Sequence, residues 1–227
     1  SCPANDLLIF LSRTSGFAGN VYVSAATGDD ANVGSIAQPL ASIRAGIDLG
    51  KWYLDEGLVT AVSVLVAEGT YEQNDSEDRP VKLVEGVSLY GGHAPDFSER
   101  DSSAYVSTII DLSTEGEDIA AVRAEDTITR ATVIDGFTIV GGSCGAEGIA
   151  RAIHVDRASP TITNNIIDAG GGSVALDIYR DSDPVVDSNT ILGNTSPDIG
   201  WKSALAITLN SLAEVTNNTI DGGENGY

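Results

Sequence analysis

The residues best suited to chemistry lie in two similar segments, AIHVDRASP and ALDIYRDSDP. If each segment is a strand, alternation of its side chains gathers His154, Asp156, Asp177 and Tyr179 on an outward face, and Arg180 lies near the end of the same strands. His154 beside Asp177 would make a general acid or base with an orienting carboxylate. Asp156 and Asp177 would make the carboxylate pair of glycoside hydrolysis. The set therefore predicts the chemistry of polysaccharide cleavage.

The elements that would position these residues repeat along the chain. Each repeat begins with a short alternating strand, bends into a second strand, and ends in Asn, one residue and Ile. The repeated asparagines are Asn165, Asn189 and Asn218. A weaker version of the pattern continues upstream, with Phe137 at the asparagine position. The pattern indicates coils that recur from near Val81 to the C-terminus.

Strands this short cannot bury a face alone, whereas stacked coils share one continuous core, so the repeats predict a parallel β-solenoid. We expect the pair Asn164 and Asn165 to form a corner between two strands, because asparagine tolerates a left-handed backbone. Stacked amide side chains can also hydrogen-bond from coil to coil. Asn165, Asn189 and Asn218 are therefore expected to form an internal ladder.

The first third of the chain has a different organisation. A strand near Val21 leads into a Gly-Asp loop, and a helical pattern begins at Pro39. An open solenoid end exposes its core and its strand edges, so a capping helix is expected there. The sequence predicts one continuous domain, in which residues 1–80 form the cap and lead into the first coil and residues 81–227 form the coils.

The chain resembles a known family through its N-terminal motif VYVSAATGDDANVGSIAQPLASIRAGI and the strand VLVAEGTY that follows. This motif is similar to the start of many bacterial right-handed parallel β-helices of the pectin-lyase-like superfamily. The resemblance runs from Val21 to the C-terminus and implies a right-handed parallel β-helix with an N-terminal capping α-helix. The fold serves lyases, hydrolases, epimerases, tailspikes and adhesins, so function must be argued from a site.

In relatives that cleave acidic polysaccharides, the resemblance implies a groove on an outer sheet face, a Ca²⁺ ion and a Lys or Arg base. The Gly-His-Gly and Arg-x-Lys signatures of polygalacturonase-type hydrolases are absent, and no lysine falls on the candidate face. A lyase would have to use Arg123, Arg151 or Arg180 as its base.

The alternative interpretation is that these residues form an ordinary solvated face of the sheet. Two outward rows are predicted: Ala121, His154, Asp177 and Ala206, and beside them Arg123, Asp156, Tyr179 and Thr208.

A second candidate site is the loop TGDDANVG, in which Asp29 and Asp30 with backbone carbonyls would make a partial Ca²⁺ site. The spacing is not that of an EF-hand. The same composition is typical of a plain turn, so both interpretations stand. The acidic segments EQNDSEDRP and STEGEDI are expected to be solvated excursions between coils.

Charge and composition limit the partners. The chain has 33 acidic and 12 basic residues, a formal net charge of −21, and three lysines, so nucleic acid is excluded as a partner. Such an acidic surface suits an extracellular or high-salt protein, or one whose carboxylates hold Ca²⁺. The apolar stretch LLIFL is too short to span a bilayer, so no transmembrane segment is expected.

The two cysteines allow two interpretations, a disulfide bond or a lipid anchor. Cys2 and Cys144 would close a long disulfide loop, or Cys2 would carry a lipid at a Ser-Cys junction of bacterial lipoprotein type, although Ser1 argues against that processing. We expect a bacterial protein that is secreted or lipid-tethered, and extracellular or cell-surface in location.

Two functions remain open. One is a structural, adhesion or assembly module that binds a polysaccharide or cell-surface partner, or self-assembles through a C-terminal coil that lacks a recognisable cap. For that coil two interpretations stay open: a partner covers it, or the native chain continues past Tyr227. The other is a polysaccharide lyase or glycoside hydrolase that uses His154, Asp156, Asp177, Tyr179 and Arg180. The incomplete catalytic set favours the first.

Overall fold

The computed structural model of the protein describes most of the chain. The described residues are 18–73, 80–114, 118–143, 148–195 and 202–223. The predictions of a Cys2–Cys144 disulfide and of a lipidated Cys2 concern residues outside these ranges.

Within these ranges the chain forms eighteen strands in three sheets, all of them parallel. Sheet A contains β1 (Ala18–Val23), β2 (Ala61–Ala67), β5 (Val87–His93), β8 (Val133–Asp135), β11 (Thr161–Thr163), β14 (Val185–Asp187) and β17 (Glu214–Thr216). Sheet B contains β3 (Gly69–Gln73), β6 (Ser107–Asp111), β9 (Phe137–Val140), β12 (Ile166–Asp168), β15 (Thr190–Leu192) and β18 (Thr219–Asp221). Sheet C contains β4 (Val81–Lys82), β7 (Asp118–Glu125), β10 (Ile149–Asp156), β13 (Val174–Tyr179) and β16 (Ser203–Ile207).

From β2 onward the chain visits sheets A, B and C in turn, and each strand pairs with its counterpart in the next coil. The molecule is therefore a right-handed parallel β-helix, as predicted. No helix in the described ranges is long and apolar enough to cross a bilayer.

The core is built from rows of apolar side chains that stack from coil to coil. In sheet B, Ile109, Ile139, Ile167 and Ile191 lie in register and are fully buried. β-Branched side chains suit this position because they pack well against the same residue one strand away. Each coil thus covers the apolar face of its neighbour, which explains why strands of three residues are sufficient.

The asparagine ladder is confirmed. The backbone N–H of Asn165 donates to Oδ1 of Asn189 at 2.9 Å, and that of Asn189 donates to Oδ1 of Asn218 at 2.7 Å. The N–H of Phe137 donates to Oδ1 of Asn165 at 3.0 Å, so Phe137 occupies the asparagine position of its coil. Because this corner carries no strand pairing, the side chains satisfy buried backbone donors that would otherwise have no partner.

The turn itself is made by the residue before each ladder position. Asn164, Ser188 and Asn217 have φ values of 54°, 58° and 54°, and Gly136 has 79°. The pair Asn164–Asn165 is therefore a corner with divided roles: the first residue adopts the left-handed conformation and the second provides the ladder amide.

The predicted cap is α1, Ile43–Asp55, which packs on β1 and β2. The helix begins four residues after Pro39, where its pattern was expected to start, because Ser42 is the N-cap and its Oγ accepts from the N–H of Ala45 at 3.1 Å. Gly46 faces the sheet, where a Cβ atom would lie 2.8 Å from a methyl group of Val23. The helix therefore sits close enough to cover the first strands.

Candidate functional site

The candidate site lies on the outer face of sheet C, where β7, β10 and β13 run side by side. His154 lies in register with Arg123 on one side and Asp177 on the other. Asp156 lies in register with Glu125 and Tyr179. The pairing of His154 with Asp177 and the position of Tyr179 beside Asp156 follow the sequence prediction.

The predicted register of β7 is wrong by two residues. Ala121 was expected beside His154, and Arg123 beside Asp156, whereas Arg123 itself pairs with His154. The physical reason is that alternation assigns the faces of a strand but not its register, so a shift of two residues leaves the pattern unchanged. Ala121 faces the core, as Ala152 and Ala175 do at the same step of the next two coils, and was wrongly expected to point outward. Arg123 therefore joins the row of His154.

Arg151 is the centre of the cluster. Its Nε donates to Oδ2 of Asp177 at 2.6 Å, and its Nη1 donates to Oδ1 of Asp118. Arg123 pairs with the same Asp118 carboxylate at 2.9 Å. Nδ1 of His154 lies 3.1 Å from Oδ2 of Asp177. The result is one connected network across three coils.

This network determines the charge state of its carboxylates. Burial alone would raise the pKa of Asp177, but the hydrogen bond with His154 and the charge of Arg151 outweigh burial and hold that pKa below its ordinary value. The pKa of Asp118 is lowered in the same way, with Arg123 as the main partner opposing desolvation. Asp177 is thus an orienting and charge-balancing carboxylate, and a poor proton donor at neutral pH.

The second half of the cluster surrounds Asp156. The guanidinium of Arg180 donates from Nε and Nη2 to the two carboxylate oxygens of Asp156, and Arg157 approaches it at 3.5 Å. The Arg180 guanidinium also lies over the ring of Tyr179, 4.9 Å from its centre. Both carboxylate oxygens of Asp156 therefore accept from Arg180 in a bidentate ion pair, which is the strongest geometry for an arginine and a carboxylate.

The cluster is buried, which neither sequence interpretation expected. His154, Asp156 and Asp177 are each 6% exposed, although they point outward from the sheet. Two cavities in the described part of the chain lie elsewhere, one against α1 and β3 and the other beside Leu192 and Gly193. Neither of these two cavities is lined by a residue of the cluster. The buried members, Arg151, His154, Asp156 and Asp177, form a packed ionic layer, and Arg180 and Asp118 remain largely exposed at its surface.

Sequence reasoning missed Asp118, because the acidic segment that contains it was assigned to a solvated loop. The structure places Asp118 at the start of β7, where it binds two arginines. The available signal was the excess of arginine on this face, since buried guanidinium groups require carboxylate partners. Gln73 was missed for the same reason, because the end of β3 is buried and was assigned to the other acidic loop.

The carboxylates of the predicted calcium loop are engaged with backbone amides. Oδ1 of Asp29 accepts from the N–H of Ala31 at 2.9 Å. Oδ1 of Asp30 accepts from the N–H groups of Ala41 and Ser42, which ties the loop to the start of α1. In the described residues no group of three or more His, Cys, Asp or Glu side chains is placed to hold a metal ion. The Ca²⁺ site stays a prediction.

Comparison with known proteins gives the family. Residues 26–226 match the model of the family DUF1565, described as a protein of unknown function. The chain belongs to this family. Searches of curated proteins and of solved structures found no match. Since the description of DUF1565 names no activity, the function of this family member has to be argued from the geometry of its surfaces.

Proposed function

We propose that the protein is a non-catalytic β-helix module that associates with a second copy of itself through its open end. The open end is defined here as the edge formed by β16, β17 and β18, the terminal strands of the three sheets. The observation that carries the proposal is that, among the described residues, apolar side chains of the last coil are exposed where their partners in the preceding coil are buried.

The row of sheet B gives the clearest example. Ile191 is fully buried, whereas Ile220, its partner in the next coil, is 47% exposed. Ile207 in β16 is likewise exposed although its neighbour Ile178 is fully buried. Leu209 and Leu212 extend the apolar surface along the corner that follows β16. Exposed apolar surface of this kind is characteristic of an interaction site.

The strands of the open end also lack the usual protection of an edge. Isolated β-sheets commonly end in strands that carry lysine or proline, which discourage pairing with another chain. The strand sequences SALAI, EVT and TID contain neither residue, so the protection that remains is the charge of Glu214 and Asp221 and the shortness of β17 and β18. A two-fold arrangement would pair each open end with the same surface of a second copy, which is the commonest symmetry of soluble oligomers.

The same proposal includes the setting of the module. We infer an extracellular or cell-surface protein, related to the pectin-lyase-like β-helices, that presents its outer faces to a polysaccharide or cell-surface partner. The acidic composition, the N-terminal motif and the stacked coils support this setting. A net charge of −21 opposes association of two copies, so dimerisation should strengthen as salt screens the repulsion.

Sedimentation equilibrium tests the association. Ile220→Lys places a charge on the open edge and should convert a dimer into a monomer. Ile166→Lys is the matched control, because Ile166 is 45% exposed but lies on β12, in the interior of sheet B. Wild-type protein that is monomeric at every salt concentration, or equal effects of the two variants, would contradict the proposal.

A second candidate is polysaccharide cleavage, and one observation favours it. The contact between Nδ1 of His154 and Asp177 is the geometry of a base oriented by a carboxylate, which leaves Nε2 for a substrate. If His154 acted in this way, His154→Ala and Asp177→Asn would each abolish turnover.

The assay that separates the two candidates is a panel of polysaccharides, tested with and without Ca²⁺ for new reducing ends and unsaturated products. We expect no product from wild-type protein, because the cluster is buried and its carboxylates are paired. Product formation that disappears in both variants would replace the structural proposal with the enzymatic one.

A further inference from the structure

The cavity between α1 and β3 contains an unsatisfied amide. Gln73 lines this cavity and is 3% exposed, yet neither its Nε2 nor its Oε1 has a hydrogen-bond partner. Buried polar groups in folded proteins almost always have a partner, so an orphaned amide indicates a group that completes the site when bound. A glutamine amide offers both a donor and an acceptor, so it can recognise a ligand that carries both.

The first turn of α1 lies on the other side of the same cavity, which is lined by Ser42, Ile43 and Arg44. The N–H of Ser42 is satisfied by Asp30, and that of Ala45 by Ser42. The amides of Ile43 and Arg44 belong to the first turn, which has no intrahelical acceptors for them. The first turn itself contains no acidic residue, but the Asp30 carboxylate that accepts from the N–H groups of Ala41 and Ser42 neutralises part of the positive end of the helix dipole.

Charged groups around the cavity both attract and repel an anion. Arg44 lies at the rim, and its contact with Asp48 is long, 3.8 Å, and exposed, so the guanidinium is available to a ligand. The carboxylate of Glu72 also lines the cavity and opposes an anion. The Asp30 carboxylate at the start of α1 opposes an anion as well, so the attraction has to come from the Arg44 guanidinium and from the N–H groups of Ile43 and Arg44. These two N–H groups are distinct from those of Ala41 and Ser42, which donate to Asp30.

The size of the cavity restricts the ligand. Its volume is about 180 Å³. This volume is below the usual range of drug-sized sites. An oligosaccharide does not fit, whereas a small ion does.

From these contacts we propose that this cavity, the α1–β3 cavity, binds a small oxyanion that carries a hydroxyl group. The anionic oxygens accept from the amides of Ile43 and Arg44, from the Arg44 guanidinium and from Nε2 of Gln73. The hydroxyl donates to Oε1 of Gln73. Hydrogen phosphate and a hydroxycarboxylate share this chemistry. The site lies at the capped end of the β-helix and does not depend on association through the open end.

Calorimetric titration of the full chain with inorganic phosphate, glycolate and acetate tests the proposal. Phosphate or glycolate should bind saturably, and the tighter of the two identifies the source of the oxyanion. Acetate lacks the hydroxyl and should bind about tenfold more weakly than glycolate. Equal binding of acetate and glycolate, or no saturable binding of phosphate and glycolate, would overturn the proposal.

Variants connect the binding to the named residues. Arg44→Gln and Gln73→Leu should each weaken binding about tenfold, and Glu72→Gln should strengthen it. Lys51→Gln is the matched control, because it removes the same charge from the last turns of the same helix and should change nothing. Gln73→Leu should also raise the melting temperature without ligand, since it removes an unpaired buried amide. Loss of binding in Lys51→Gln, or a lower melting temperature in Gln73→Leu, would contradict the assignment.

Discussion

Replacing Asn189 with leucine should lower the free energy of unfolding by about 2–5 kcal/mol. Asn189 is 2% exposed and bonds in both directions along the ladder. Its Nδ2 donates to the carbonyl of Ile162 at 2.9 Å, and its Oδ1 accepts from the N–H of Asn165 at 2.9 Å. Leucine would leave both backbone groups buried without a partner, and each such group costs about 1–3 kcal/mol.

Asn218→Leu provides the matched comparison for the ladder. Asn218 makes the same type of bonds, to the carbonyl of Val186 and from the N–H of Asn189, but it lies in the last coil and is half-buried. Water can replace part of what leucine removes there, so the expected loss is nearer 1 kcal/mol. Urea denaturation measures both values. Equal losses of unfolding free energy in the two variants would mean that the burial of a ladder asparagine does not determine how much it stabilises the protein.

Arg151→Met should destabilise the protein by about 3–5 kcal/mol, the usual cost of removing one partner from a buried ion pair. Methionine preserves much of the length of the side chain but leaves the buried carboxylate of Asp177 without its cation. The double variant Arg151→Met with Asp177→Asn should recover most of the loss, because it also removes the stranded charge. Arg130→Met is the surface control. Its partners Asp183 and Glu214 are exposed, so a change within about 1 kcal/mol is expected.

The pH dependence of unfolding gives a second readout of the Arg151 network. Because the folded state lowers the pKa of Asp177, this carboxylate stabilises the protein fully above its unfolded pKa, near 4. That contribution is lost as the pH falls through the lower folded value. Stability of the wild type should therefore decrease more steeply below about pH 4 than that of Asp177→Asn. Parallel profiles, together with a small effect of Arg151→Met, would show that the network contributes little.

Much of the fold could be predicted because the residues that repeat in each coil have the same structural role in each coil. The recurring asparagines predicted a corner and a ladder, and the structure confirms the hydrogen bonds of both Asn165 and Asn189. Alternation predicted the inward positions of β10 and β13, since Ile153 and Leu176 pack in the core. A repeat that places the same residue at the same step carries enough information to define a parallel stack.

The candidate site was less predictable because alternation assigns the faces of a strand but not its register. The register of Arg123 was wrong by two residues, although Ala121 occupies the same step of its coil as Ala152 and Ala175. Asp118 was assigned to a loop because acidic residues usually indicate solvent, whereas here the carboxylate partners two arginines. Burial of a polar face is a property of the whole fold, so strand periodicity could not reveal it.

These features divide the molecule into surfaces with different roles. The outer face of sheet C is a packed ionic layer in which Arg151 and Arg180 hold the two carboxylates of the predicted catalytic pair. In the last described coil Ile207 and Ile220 are exposed, and the proposed association rests on them. An account in which the ionic face stabilises the coils and the open end binds a second copy explains both arrangements.

Distance measurement between spin labels at the open end tests this account most directly. The label is attached at Thr219→Cys on β18, in a background with Cys2→Ser and Cys144→Ser, and a Lys51→Cys label on α1 serves as the comparison. We predict a short intermolecular distance for labels at position 219 and a long one for labels at position 51. The absence of intermolecular coupling at position 219, or shorter distances at position 51, would contradict association through the open end.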